Sequence, residues 1–99
     1  MSLSDNDLEI LERRYSMYVL LALDKMPMST KTDIMRLDPG NEKTKFRRIN
    51  ELITEGFIEC VYSPEHKSKR LNLTEEGKEL VIRIKKIRAL LLRHRRNKS

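Results

Sequence analysis

Residues 56–80, GFIECVYSPEHKSKRLNLTEEGKEL, decide how this chain folds. After Gly56 the apolar residues alternate with period two. Ile58, Cys60 and Tyr62 point one way and Glu59 and Val61 the other, which predicts a strand. Ser63-Pro64-Glu65-His66-Lys67-Ser68 is a polar turn, and Lys69 to Leu73 resumes the alternation with Leu71 and Leu73 inward. The two runs together read as a β-hairpin. Thr74 then ends the strand and caps a helix whose first turn carries Glu75 and Glu76, acids suited to the positive end of the helix dipole.

Upstream, Gly56 stops a helix predicted over Glu42 to Glu55, in the left-handed position just past its end. Phe46, Ile49, Leu52 and Ile53 share its apolar face, and at 100° per residue the opposite face presents Lys43, Thr44, Arg47 and Asn50, with Arg48 at the flank. Asp38-Pro39-Gly40-Asn41 is a dense turn signal, and Asn41 can cap the helix that follows. A short helix over Thr30 to Leu37 precedes the turn, capped by Ser29 or Thr30 and directing Ile34 and Leu37 inward. The first helix runs from Ser4 to Met26 on the stripe Leu8, Leu11, Tyr15, Val19, Ala22 and Met26. Leu20, Leu21 and Leu23 widen that stripe, so the helix is buried on most sides. Downstream, the last helix extends to about Arg95, and Leu80, Ile84, Ile87 and Leu91 step in the rhythm of a coiled-coil seam. The predicted fold is mainly α with a small β-hairpin, in the order α-α-α-β-β-α.

Composition narrows the function classes. Ninety-nine residues give one domain, too short for the layered sheet of most nucleotide-dependent enzymes. One cysteine excludes an internal disulfide framework and a thiolate zinc site, and fits a reducing, cytoplasmic setting. The longest apolar run, Met17 to Leu23, is far short of the ~20 residues that span a bilayer. The acids Asp5, Asp7, Glu9 and Glu12 at the front argue against a signal peptide. With 21 Lys and Arg against 15 Asp and Glu the formal charge is +6. The positive charge is clustered: Lys43, Lys45, Arg47 and Arg48 fall within six residues, and Lys67, Lys69 and Arg70 within four. Such clusters are the electrostatic footprint of a polyanionic partner.

A short helix, a tight turn and a longer helix with bases at its start follow the helix-turn-helix pattern, in which the second helix enters the major groove. Lys43, Thr44 and Arg47 are the candidates for reading base edges; Arg grips guanine O6 and N7 with two hydrogen bonds, and Thr can touch a thymine methyl. Lys45 and Arg48 are placed at the sides for phosphates, together with Lys67, Lys69 and Arg70 on the hairpin that forms a wing. From Ser29 to Leu80 the chain resembles the winged helix-turn-helix transcription regulators of the MarR, HxlR and PadR types. The resemblance is carried by the glycine-aromatic-isoleucine step at Gly56 to Ile58 and by the closing motif Leu71, Leu73, Thr74, Glu75, Gly77, Lys78 and Leu80. It implies a single winged-helix domain over 1–99, with the helix-turn-helix at 29–56, the wing at 57–74, and terminal helices at 4–26 and 75–95 forming a homodimer interface. It further implies sequence-specific binding of double-stranded DNA at a near-palindromic site.

For the dimer interface the sequence offers Leu80, Ile84, Ile87 and Leu91, with Leu8, Leu11 and Tyr15 from the first helix. Cys60 reads as a small core residue, and His66 and His94 as solvated residues without a ligand-spaced partner, so neither metal nor cofactor is expected. No catalytic signature is present: the turn at Asp38 to Asn41 lacks the glycines and the Lys-Ser/Thr of a phosphate loop. A small-molecule effector is not assigned; Tyr15, Tyr18, Met17 and Met26 mark where a pocket for one would lie. Two other readings of the basic faces remain, a winged-helix module that binds an acidic protein and an RNA binder. Against RNA stands the shortage of exposed aromatics for stacking.

Overall fold

The computed structural model describes residues 8–98. Their elements are α1 (Glu9–Glu12), α2 (Ser16–Lys25), α3 (Lys31–Arg36), α4 (Glu42–Thr54), β1 (Ile58–Ser63), β2 (Ser68–Leu73) and α5 (Glu75–Lys98). The order is the expected one apart from its front. Ser4, the expected start of the first helix, lies outside the described residues, and the helix predicted to Met26 is two helices. Between them Tyr15 adopts a left-handed backbone, φ 72°, which costs a non-glycine residue about 1–2 kcal/mol. Tertiary contacts offset that cost. The Tyr15 ring sits edge-on to Tyr18 at 6.1 Å, its hydroxyl accepts a hydrogen bond from Asn41 Nδ2 at 2.6 Å, and the neighbouring Arg14 carbonyl accepts one from Arg48 Nε at 3.0 Å.

Helix α2 lies in the middle. Val19, Leu20 and Leu23 are buried against Ile34 of α3, Ile49 and Leu52 of α4, Leu71 and Leu73 of β2, and Val81 and Ile84 of α5. The widened apolar stripe had predicted this. Helix α3 starts on a capping box: the Thr30 hydroxyl accepts from the Asp33 amide, and the Asp33 carboxylate from the Thr30 amide, both at 3.0 Å. These bonds from Thr30 hold the Asp33 carboxyl below its ordinary range, against some desolvation and with help from Arg70 and Arg36. Ile34 and Met35 are buried, whereas Leu37, expected to point inward, is past the helix end and exposed. Asn41 does not cap α4 through its side chain, because its own backbone is left-handed (φ 57°) and its amide is spent on Tyr15.

The strands pair antiparallel with Ile58 opposite Leu73 and Ser63 opposite Ser68, leaving 64–67 as the loop. Strand β2 is the inner one, pinned by a 2.7 Å hydrogen bond from the Leu71 amide to the Ser29 carbonyl. Only the base of the hairpin, at Ile58, Leu71 and Leu73, meets the core. Cys60 is exposed rather than inward, although it pairs with the buried Leu71, and Tyr62 beyond it is exposed too.

The closing motif has a steric explanation. Thr74 Oγ1 donates to the Gly56 carbonyl at 2.6 Å and accepts from the Gly77 amide at 3.1 Å, and the Thr74 amide donates to the Phe57 carbonyl at 3.1 Å. A Cβ on Gly77 would stand 2.1 Å from that same Phe57 oxygen. The hairpin exit, the helix start and the end of α4 thus meet where only glycine fits. Helix α5, 24 residues and about 36 Å long, then leaves the core. Val81 and Ile84 are buried, but every residue from Lys85 to Asn97 is exposed. The predicted 4-3-4 seam is split accordingly: Leu80 and Ile84 pack on their own chain, whereas Ile87 and Leu91 stand in solvent.

Candidate nucleic-acid interface

Two elements present cations outward, the α4 face and the wing. Lys43 and Arg47 are exposed on successive turns of α4, with Thr44 half-buried beside them, and no ion pair holds either cation among the described residues. The same face continues through Asn50 and Thr54 and forms one wall of a shallow groove that Arg13, Glu51 and Glu55 complete. On the wing, Lys67 occupies a left-handed turn position (φ 52°) beside Pro64 to His66. Lys67 and Lys69 are exposed and unpaired among the described residues. The loop is held by the Ser63 hydroxyl, which accepts from the His66 amide at 3.4 Å and lies 2.9 Å from His66 Nδ1.

Three of the expected phosphate contacts are turned inward. Lys45 has 0% exposure. Its ammonium donates to the Asp38 carbonyl, lies 3.6 Å from the Asp38 carboxylate, and sits 5.1 Å and 5.5 Å from the Tyr15 and Tyr18 ring centroids. The helix turn that carries Lys45 faces α2, so the long stem fills core space and the charge ends in a cage of two aromatic faces and the α3–α4 turn. Burial, then Asp38 and Tyr15, pushes the Tyr18 hydroxyl up from its ordinary value. Arg48 is committed to the Arg14 carbonyl and to Glu51 at 2.7 Å. Arg13 grips the other Glu51 oxygen at 2.9 Å and Glu9 at 2.8 Å. Desolvation opposes ionisation of Glu51, but the hydrogen bonds from Arg48 and Arg13 outweigh it and hold the carboxyl below its usual range. Arg70 folds back from β2, with its guanidinium 3.0 Å from Ser68 Oγ, 3.5 Å from the Met28 carbonyl and 3.8 Å from the Asp33 carboxylate. These three cations bolt the helix-turn-helix to its neighbours.

Sequence reasoning missed Phe46 and Lys31. Phe46, counted as core, is 36% exposed, because its position lies at the edge of the apolar arc rather than inside it. Lys31 of α3 donates to Asn50 Oδ1 at 2.9 Å and lies 6.0 Å from the Phe46 ring centroid; nothing local in the sequence joins residues 31 and 50. Of the expected dimer residues, Ile87, Leu91 and Leu8 are exposed, together with Ile82, Leu90 and Leu92. Leu11 and Tyr15 are half-buried against the core. Among the described residues no cluster of His, Cys, Asp or Glu could hold a metal, and no helix is long and apolar enough to cross a membrane.

Neither a protein-family model nor a curated protein matches the sequence. Solved structures do. A "possible HxlR family transcriptional factor" from Thermoplasma volcanium superposes with TM-score 0.76 at 21% identity over 97% of this chain and 87% of that one. A mutant of S. aureus MepR gives TM-score 0.80 at 18% identity over 96% and 72%. FabT of Streptococcus pneumoniae, solved in complex with DNA, gives 0.76 at 18% identity over 95% and 75%. On this likeness the chain has the winged-helix fold of the MarR- and HxlR-type transcription regulators.

Proposed function

We propose that this protein is a transcription regulator that binds double-stranded DNA as a homodimer, with α4 in the major groove and the wing along the backbone. The observation that carries this reading is the pair of cations Lys43 and Arg47 on the outward face of α4, unpartnered among the described residues and displayed on a fold that FabT shows in complex with DNA. Lys43, Thr44 and Arg47 read bases. Lys67 and Lys69 contact phosphate, which makes affinity fall steeply with salt. The whole chain serves as one winged-helix domain, whose terminal helices pair two copies through Ile87, Leu91 and the neighbouring exposed leucines of α5. A two-fold axis there sets two copies of α4 about one DNA turn, roughly 34 Å, apart.

The test is a fluorescence-anisotropy titration against random-sequence duplex DNA at two salt concentrations, with single-stranded RNA as the comparison, alongside the solution mass. Salt-sensitive duplex binding by a dimer is expected. Absence of duplex binding at low salt overturns the reading and turns attention to an acidic protein partner.

A further inference from the structure

Phe46 is the one aromatic residue on the outward side of α4 and stands among groups that hydrogen-bond. It lies between Lys43 and Asn50 in the helical array, and Ile49 and Leu52, both fully buried, fill the core beneath it. Its ring is flanked by Lys31 Nζ at 6.0 Å. The same ammonium occupies Asn50 Oδ1 at 2.9 Å, which leaves the amide NH2 of this exposed residue without a hydrogen-bond partner among the described residues. An Asn that reads adenine needs both its oxygen and its nitrogen; with the oxygen engaged, Asn50 acts as a donor. One turn apart on α4, Phe46 in its first half and Asn50 just past its middle, there are therefore an apolar ring edge and a lone hydrogen-bond donor. In the major groove thymine alone offers the matching pair, a C5-methyl group beside the O4 acceptor; cytosine offers a donor there and guanine has no methyl.

We infer that Phe46 and Asn50 form a thymine-reading pair, Phe46 packing on the methyl and Asn50 donating to O4, with Lys31 orienting the Asn50 amide. The inference rests on the DNA-binding reading above and adds a base preference to it. Lys31 is a positioning residue that fixes which end of the amide is presented.

The experiment selects duplexes from a random library with the wild-type protein. Each thymine of the selected site is then replaced by deoxyuridine, which removes the methyl and keeps O4. One thymine per half-site should prove sensitive, with about a fourfold loss of affinity, the worth of one buried methyl-sized group. In Phe46→Ala the same replacement should change nothing, and Phe46→Leu, which keeps an apolar contact, should retain part of the discrimination. The wild-type arm stands even where a variant folds poorly. Enrichment of a site in which no thymine is sensitive to deoxyuridine overturns the inference and leaves DNA binding intact, and so does a loss that persists undiminished in Phe46→Ala. Failure to enrich any duplex overturns the DNA reading, and the inference with it.

Discussion

Helix α4 carries four cations within six residues, and the fold divides them into two pairs with opposite fates. Lys43 and Arg47 face outward without partners among the described residues, whereas Lys45 is sealed behind Tyr15 and Tyr18 and Arg48 is clamped between the Arg14 carbonyl and Glu51. The wing repeats the division, with Lys67 and Lys69 in solvent and Arg70 turned back toward Asp33 and Met28. A basic cluster is thus two populations. One produces the field that an approaching polyanion meets, and the other holds in place the helix that carries the first. An ammonium in a dry cage contributes little to a salt-dependent association, and removing an unpartnered surface arginine does little to stability.

The division breaks most visibly at Lys45. Lys45→Ala removes a fully buried stem and its charge contacts, and the expected loss of stability is about 2–4 kcal/mol, as for truncating a buried residue of that length. The Asp38 carboxylate left behind is more than half exposed, so the loss is dominated by packing, and Lys45→Met should recover most of it. Thermal or urea unfolding measures both. A Lys45→Ala protein as stable as wild type would mean that the cage does not hold α4.

Arg47→Ala should behave the other way round. Duplex discrimination should flatten by about 1–3 kcal/mol, the worth of a good bidentate contact to guanine, while stability stays within about 0.5 kcal/mol. Competition titrations between selected and scrambled duplexes, read beside the melting curve, separate the two effects. A uniform loss on every sequence would move Arg47 from base reading to phosphate contact.

The sequence made the outward pair legible and concealed the inward pair, for physical reasons. Periodicity locates a residue on a helix by angle alone. The angle of Lys45 is close to that of Leu52, so the buried position was readable in principle, but lysine's charge suggests surface wherever no partner is visible. Its partners here come from Tyr15 and Tyr18, which lie near only because the first helix breaks. That break, at a left-handed tyrosine held by Asn41 from 26 residues away, follows from tertiary contact and not from local propensity. Phe46 errs in the opposite sense: an aromatic at the rim of the apolar arc was counted as core. By contrast, the Thr74 cap was legible because its reason is local, a hydroxyl that accepts from the amide three residues on, whereas the need for glycine at 77 comes from the Phe57 carbonyl, distant in sequence. The apolar seam of α5 was legible as a stripe, but the point where the chain's own core ends, just past Ile84, depends on how far α2 reaches.

The division can be sharpened at Arg70 with pH. Its partner Asp33 has a carboxyl held below the ordinary range, mainly by the Thr30 amide. Because the folded value lies below the unfolded one, the carboxylate's contribution is complete above the ordinary Asp value of about 3.9 and is lost as pH falls through the lower folded value. Asp33 is partly exposed, so the size is less than about 1 kcal/mol. Asp33→Asn should lower stability near neutral pH and flatten the acid limb of the stability curve, as followed by denaturant unfolding at stepped pH. If acidification cost wild type and Asp33→Asn equally, Asp33 would have no part in holding Arg70 and the helix start.

The smallest expected effect concerns the wing tip, and it isolates the field from the scaffold. Lys69 is exposed and unpaired among the described residues, so Lys69→Ala has no fold contact to break. It should weaken binding to all duplexes about equally and reduce the slope of log affinity against log salt by about one unit, the release of one counterion. Arg70→Ala, one residue along, should leave that slope nearly unchanged and lower stability instead, because its guanidinium already has protein partners. Measuring both slopes in one titration series makes adjacent residues of the same charge report on different things. Equal slope changes would show that Arg70 leaves Asp33 for phosphate when DNA arrives, and the boundary between the two populations would then move with the ligand.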